Sequence, residues 1–147
     1  MAQRLVLDTN VWLDWLVFDD PCIQPLRHAV EQGAATIFID EACLEELARV
    51  LAYPLRRQPL DPTEQAACIA ICRKHARVVG PGPASSSLPA CVDPDDQKFL
   101  ELADRAGAHC LLSKDRALLA LTRKSAVKFH IMTPDRFSAL NSLESGG

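Results

Sequence analysis

The stretch Arg4-Leu5-Val6-Leu7-Asp8-Thr9-Asn10-Val11 decides how this chain is read: a short apolar run ends on an aspartate, and a helical pattern over Val11 to Val17 follows at once. This is the junction of a buried strand with a helix, and Asp8 stands at the strand's carboxyl end. The pattern returns in Leu111-Leu112-Ser113-Lys114-Asp115, ahead of a helical stretch over Asp115 to Thr122. Strand-like runs at Arg4 to Leu7, Thr36 to Ile39, Cys110 to Ser113 and Lys128 to Met132, with a weaker one at Arg77 to Val79, alternate with longer helical patterns. Such alternation is the sign of βαβ units and predicts an α/β fold on a mainly parallel sheet.

Further helices are expected over Cys22 to Gln32 behind Asp20-Pro21, over Glu41 to Leu51 capped by Asp40, over Thr63 to His75 behind Asp61-Pro62, and over Asp95 to Gly107. An aspartate followed by proline suits an N-cap and a first helical turn. Gly80-Pro81-Gly82-Pro83-Ala84-Ser85-Ser86-Ser87-Leu88-Pro89 is the clear breaker cluster, and it reads as a surface loop beside the acidic group that follows. We expect a single domain over 1–140 and a polar, frayed tail over 141–147.

A chain of 147 residues, 48% hydrophobic and only 5% aromatic, can bury one core of Leu, Val, Ile and Ala. Its formal net charge of -3 supplies no basic footprint for nucleic acid, so such a substrate would need a local patch or metal ions. Arg49, Arg56 and Arg57, then Arg73, Lys74 and Arg77, offer modest patches that also read as solvated helix faces. The six cysteines sit mostly inside apolar runs, and the charged start carries no secretory h-region. They read as reduced thiols of a cytoplasmic protein; three disulfides, or a metal held by Cys68 and Cys72 at i,i+4 spacing, are the rival readings. No apolar run reaches membrane-spanning length, so no membrane partner is expected.

The chemistry lies in the acidic residues. Asp8 and Asp115 each follow a strand run, where open parallel sheets gather their ligands; Glu46 lies in Leu44-Glu45-Glu46-Leu47, and Asp93, Asp95 and Asp96 crowd Asp93-Pro94-Asp95-Asp96-Gln97-Lys98-Phe99. Carboxylates that converge from strand ends suit the hard cations Mg²⁺ and Mn²⁺, which take oxygen ligands. For Asp8 or Asp115 alone, helix capping would be the better reading; with Asp96 and Glu46 similarly placed, a shared site is preferred. Adjacent helical residues point about 100° apart, so only one of Glu45 and Glu46 can face such a site, and periodicity does not decide which. Pro94 makes Asp93 a cap and Asp95 a solvated residue. The four histidines show no ligand pairing, and no glycine-rich phosphate cradle is present.

These residues together resemble the PIN domain family, and within it the small stand-alone bacterial members regarded as toxins of type II toxin-antitoxin pairs. The resemblance is carried by Leu7-Asp8-Thr9-Asn10-Val11, by Glu46 in Leu44-Glu45-Glu46-Leu47-Ala48-Arg49-Val50-Leu51, by Asp93-Pro94-Asp95-Asp96-Gln97-Lys98-Phe99-Leu100-Glu101-Leu102-Ala103, by Leu112-Ser113-Lys114-Asp115-Arg116-Ala117-Leu118-Leu119, and by Ile131-Met132-Thr133-Pro134-Asp135-Arg136-Phe137. It spans Leu5 to Phe137. It implies a Rossmann-like three-layer α/β/α sandwich and a Mg²⁺- or Mn²⁺-dependent ribonuclease. Asp8, Glu46, Asp96 and Asp115 match its acidic positions, Asp93 joins them as a further metal residue, and Thr9, Asn10 and Ser113 match polar positions that orient the carboxylates. RNA as substrate, an antitoxin protein as partner and a possible homodimer are implied too. Gln97 departs from the asparagine expected in that motif.

Three other readings compete. A haloacid-dehalogenase-type phosphatase or receiver domain would place a phosphoacceptor at Asp8 and a phosphate contact at Lys98 or Lys114, but position 10 is Asn, position 12 is Trp, and nothing acidic precedes Asp8. A non-catalytic PIN-like binding module would keep only part of the acidic set, and here every position is filled. A flap-type DNA nuclease would be longer and richer in basic clamps.

Overall fold

The computed structural model describes residues 2–83, 87–124 and 127–145. Residues 84–86 of the expected loop and 146–147 of the expected tail lie outside the described residues. Five strands form one sheet: β1 (Gln3–Leu7), β2 (Ala35–Ile39), β3 (Ala76–Val78), β4 (Cys110–Leu112) and β5 (His130–Met132), in the order β3-β2-β1-β4-β5. Every pairing is parallel, so the sheet is wholly rather than mainly so, with Leu5 opposite Ile37 on one side and Cys110 on the other.

The helices are α1 (Thr9–Leu16), α2 (Gln24–Glu31), α3 (Glu41–Leu51), α4 (Pro62–His75), α5 (Gln97–Arg105), α6 (Arg116–Ala120) and α7 (Pro134–Ser145). The connections from β1 to β2 to β3 step one way across the sheet, and those from β3 to β4 to β5 step the other. Right-handed crossovers then put α1, α2 and α4 on one face and α5 and α6 on the other, which gives the three-layer sandwich. The inner strands β1, β2 and β4 are buried on both faces, with Leu5, Val6, Leu7, Ile37, Ile39, Leu111 and Leu112 at the centre of the core, while the edge strand β3 is largely exposed. Trp12 and Trp15 from α1, Leu47 and Leu51 from α3, and Phe99, Leu100 and Leu102 from α5 complete it.

Short 3₁₀ turns replace parts of several expected helices. The helix expected over Cys22 to Gln32 is split into a turn at Pro21–Ile23 and α2, because Asp20 accepts from the Cys22 N–H and tightens the chain there. Likewise, Asp93 accepts from the Asp95 N–H, so a turn at Pro94–Asp96 precedes α5. The terminal helix runs to Ser145, well into the expected tail; Gln3 Nε2 donates to Asn141 Oδ1 at 3.0 Å and ties that helix to the start of β1. Gly33 (φ +77°) and Gly107 (φ +63°) end α2 and α5 in the left-handed conformation that glycine tolerates.

Strand order reverses at β1, between its neighbours β2 and β4. The crevice beyond the carboxyl ends of β1 and β4 is therefore the topological switch point of the sheet, the place where open α/β folds bind ligands. Asp8 follows β1 there, and Ser113, Lys114 and Asp115 follow β4.

Candidate active site

Asp8 is both a helix cap and the floor of this crevice. Its Oδ1 accepts from the Val11 N–H at 2.9 Å and starts α1, while its Oδ2 accepts from the Ser113 hydroxyl at 2.5 Å. Capping and a place at the crevice are not alternatives here: one carboxylate serves the cap while facing the switch point. Ser113 is fully buried and its Oγ also accepts from the Asp115 N–H at 3.0 Å, so a single hydroxyl couples the ends of β1 and β4. Asp115 in turn caps α6 by accepting from the Ala117 and Leu118 N–H groups.

The glutamate that turns inward is Glu46. Glu45 is exposed, whereas Glu46 accepts from the Thr9 hydroxyl through Oε2 and pairs with Lys98 through Oε1, Nζ to oxygen 2.6 Å. Thr9 thus holds the glutamate from α1, and Lys98 holds it from the first turn of α5. From the sequence Lys98 enters only the competing phosphoryl-transfer reading, as a phosphate contact, and its place beside Glu46 is not expected. One signal was available: a cation in a helix's first turn opposes the macrodipole, so it needs a nearby anion to hold it there.

Asp93 and Asp95 are exposed and Asp96 is partly buried, at the turn that enters α5. Burial first, and then the charges of Asp115, Asp93, Asp8 and Glu46, raise the Asp96 carboxyl to about 6. The five carboxylates singled out from the sequence therefore act on one another through a shared field. Asp8 is also raised to about 6, first by burial and then by Asp115, against the lowering effects of Ser113 and Val11. Like charges held in this way destabilise one another until a cation joins them. Oxygen-only donors, two of them pushed toward neutral pH, fit a hard divalent cation. Asp8, Asp96 and Asp115, with Asp93 and Glu46 beside them, are the residues that could hold it.

The carboxylates are neighbours without being closed on one point. Among the described residues, the acidic group whose ligand atoms all lie within 4.8 Å of one another is Asp14, Asp20 and Cys22, near the carboxyl end of α1. It is unsuited to a metal as it stands, because the Lys114 ammonium contacts Asp14 Oδ2 and the Cys22 thiol is pushed up to about 11, by burial first and by Asp20 next. Asn10 lines a 280 Å³ surface pocket with Asp14, Phe18, Lys114 and Asp115, at the margin of the crevice. Gln97 accepts from the Cys91 N–H at 2.8 Å and donates to the Pro89 carbonyl at 3.2 Å. That glutamine, which departs from the expected asparagine, thus braces the loop in front of Asp93.

Behind the crevice, Asp40 caps α3 through the Cys43 N–H and pairs with Arg105 at 2.7 Å. Burial alone would raise the Asp40 carboxyl, but the Cys43 hydrogen bonds and Arg105 outweigh it and hold the group below the usual carboxylate range. Arg105 Nε also donates to the Gly80 carbonyl at 3.2 Å, which fixes the start of the glycine- and proline-rich loop.

Fold and site together define an α/β protein with an acidic crevice at the switch point of a parallel sheet. The family model described as PIN domain matches residues 4–117, and the chain belongs to the PIN domain family, a family of nucleases. Two of the solved structures that share its fold illustrate the likeness. One is VapBC2 from Rickettsia felis bound to a DNA fragment from their promoter, with a TM-score of 0.60 and 12% identity over 88% of this chain and 98% of that one. The other is PAE2754 from Pyrobaculum aerophilum, with a TM-score of 0.60 and 16% identity over 96% of this chain and 90% of that one. Among curated proteins no significant match to the sequence is found. No helix among the described residues is long and apolar enough to cross a membrane.

Proposed function

We propose that the chain is a Mg²⁺- or Mn²⁺-dependent ribonuclease and the toxin of a toxin-antitoxin pair, acting in the cytoplasm. The observation that carries this reading is the shared field of Asp8, Asp96, Asp115, Asp93 and Glu46 at the switch point, in which Asp8 and Asp96 are raised to about 6. The choice of RNA as substrate rests on the family resemblance. The toxin role rests on that resemblance and on a fold shared with the Rickettsia felis VapBC2 structure, which also makes an antitoxin the expected partner. A homodimer is a further expectation.

In this reading Asp8, Asp96 and Asp115 are the principal ligands, and Asp93 extends the acidic surface toward solvent. A divalent cation held there supplies charge that offsets the phosphodiester's own and lowers the pKa of attacking water. Ser113 fixes the Asp8 rotamer, and its bond to the Asp115 backbone sets how far apart the two strand ends stand. Thr9 orients Glu46, and Gln97 keeps the Asp93 turn in place.

The test is cleavage of single-stranded RNA by the purified chain with Mg²⁺ or Mn²⁺, with EDTA, and with Asp8→Asn or Asp96→Asn. Cleavage should require the metal and be lost in both variants while their circular dichroism stays native. Undiminished cleavage by both folded variants would sink the mechanism.

A further inference from the structure

The cation already inside the acidic site is Lys98. Its ammonium lies 2.6 Å from Glu46 Oε1 and donates to the Asp95 carbonyl at 2.6 Å, with the Phe99 ring centroid 5.5 Å away. Its side chain is 21% exposed and that of Glu46 13%, so the pair is largely withdrawn from water yet reachable from the crevice. The other lysine of the region, Lys114, reaches instead to Asp14 on α1.

Two features separate Lys98 from an ordinary counter-ion. Thr9 already grips the second oxygen of Glu46, so the glutamate has another anchor for its rotamer. The lysine also sits at the second position of α5, where the helix macrodipole disfavours a positive charge. An ammonium has three donors; two point at Glu46 and at the Asp95 carbonyl, and among the described residues the third has no hydrogen-bond acceptor. A partly desolvated donor beside Glu46 in the acidic crevice is placed to meet a second anion as it enters.

We propose that Lys98 is a catalytic residue that contacts a non-bridging oxygen of the scissile phosphodiester, and that its bond to Glu46 stores the ammonium in position until the substrate arrives. This rests on the nuclease reading above. Lys98 itself transfers no proton: its ammonium stabilises charge that grows on the phosphoryl oxygens as the water oxygen bonds to phosphorus and releases its proton to solvent, while the P–O bond to the leaving oxygen breaks and that oxygen takes a proton from solvent. Lysine serves such a role as a point charge, and arginine can supply the same charge with different geometry.

The experiment compares the parent chain with Lys98→Met and Lys98→Arg on a short single-stranded RNA with saturating Mn²⁺, and records the rise in melting temperature that Mn²⁺ gives each protein without RNA. Lys98→Met should lose about hundredfold in kcat with little change in KM. Lys98→Arg should recover much of that loss, and the Mn²⁺-induced rise should persist in both variants. A kcat for Lys98→Met within about threefold of the parent, well below the cost of a lost transition-state donor, would overturn the proposal. So would Lys98→Arg being no better than Lys98→Met, or a loss of rate that tracks loss of the Mn²⁺-induced rise, which would make Lys98 a support of the metal site. An inactive parent chain would refute the nuclease reading itself, a result distinct from any of these.

Discussion

Replacing Asp8 by Asn should make the metal-free protein more stable while disabling its site. Asp8 is 4% exposed and its carboxyl is raised from 3.8 to about 6, chiefly by burial. Keeping it ionised in the native state above pH 6 therefore costs at most about 3 kcal/mol, at roughly 1.4 kcal/mol for each tenfold. Asn preserves the shape, can still cap α1 through the Val11 N–H, and can still meet the Ser113 hydroxyl, although a neutral acceptor makes a weaker bond. We expect a net gain of about 2 kcal/mol, or roughly 4–8 °C in Tm for a domain of this size. The sign follows from linkage. A carboxyl whose folded pKa lies above its unfolded value of 3.8 binds more protons in the native state, so its stabilisation is complete below that value and is lost as pH rises through about 6. The advantage of Asp8→Asn over the parent should thus be full at pH 8 in EDTA and vanish by about pH 4. Saturating Mn²⁺ should then favour the parent, because a ligand at about 100 times its Kd adds about 2.7 kcal/mol to the state that binds it. Thermal melts across pH 4–8, with and without Mn²⁺, test this. A variant no more stable than the parent at pH 8, or a difference that ignores pH, would refute the claim that Asp8 is strained by burial of its charge.

The fold was legible because its signals are local and repeated. A short apolar run such as Leu5-Val6-Leu7, buried on both faces, reads as a covered parallel strand when helical patterns flank it. Asp8 and Asp115 were legible for the same reason: each is the residue at which a strand run hands over to a helix. What the sequence hid were contacts between segments far apart in the chain. Lys98 meets Glu46 across 52 residues and Arg105 meets Asp40 across 65, and nothing in their local pattern encodes the partner. The choice between Glu45 and Glu46 was equally closed to periodicity, since both border the apolar stripe of α3; the Thr9 hydroxyl on another helix settles which is held inward. Helix α7 was not expected from the sequence: Asn141-Ser142-Leu143-Glu144-Ser145 is polar and reads as a frayed tail, and the helix's tie to Gln3 spans 138 residues.

Three further outcomes are expected. Ser113→Ala removes a fully buried hydroxyl that satisfies both Asp8 and the Asp115 amide, and should cost about 1–3 kcal/mol in denaturant melts at pH 7; an unchanged midpoint would mean that another group takes over both bonds. Asp40→Ala removes the α3 cap and strands Arg105, at a cost of about 3 kcal/mol near neutral pH. Because Asp40 is held below its unfolded value of 3.8, that contribution is present above 3.8 and fades as pH falls through its lower folded value, so parent and variant should converge in acid. The six cysteines are free thiols, and burial pushes Cys72 up to about 12, so a thiol-directed alkylating reagent at pH 7.5 should leave Cys72 unmodified until the chain unfolds; rapid labelling of Cys72 in the native protein would contradict the packing of α4.

The acidic crevice is expected to bind a divalent cation. Diffraction from crystals soaked in Mn²⁺, recorded for anomalous scattering, addresses this directly. We expect a peak bridging the carboxylates of Asp8, Asp96 and Asp115, at the hard-cation oxygen distance of about 2.1 Å. A peak only at Asp14, Asp20 and Cys22, or no peak beside Asp8 in crystals whose soak reaches saturation, would contradict it.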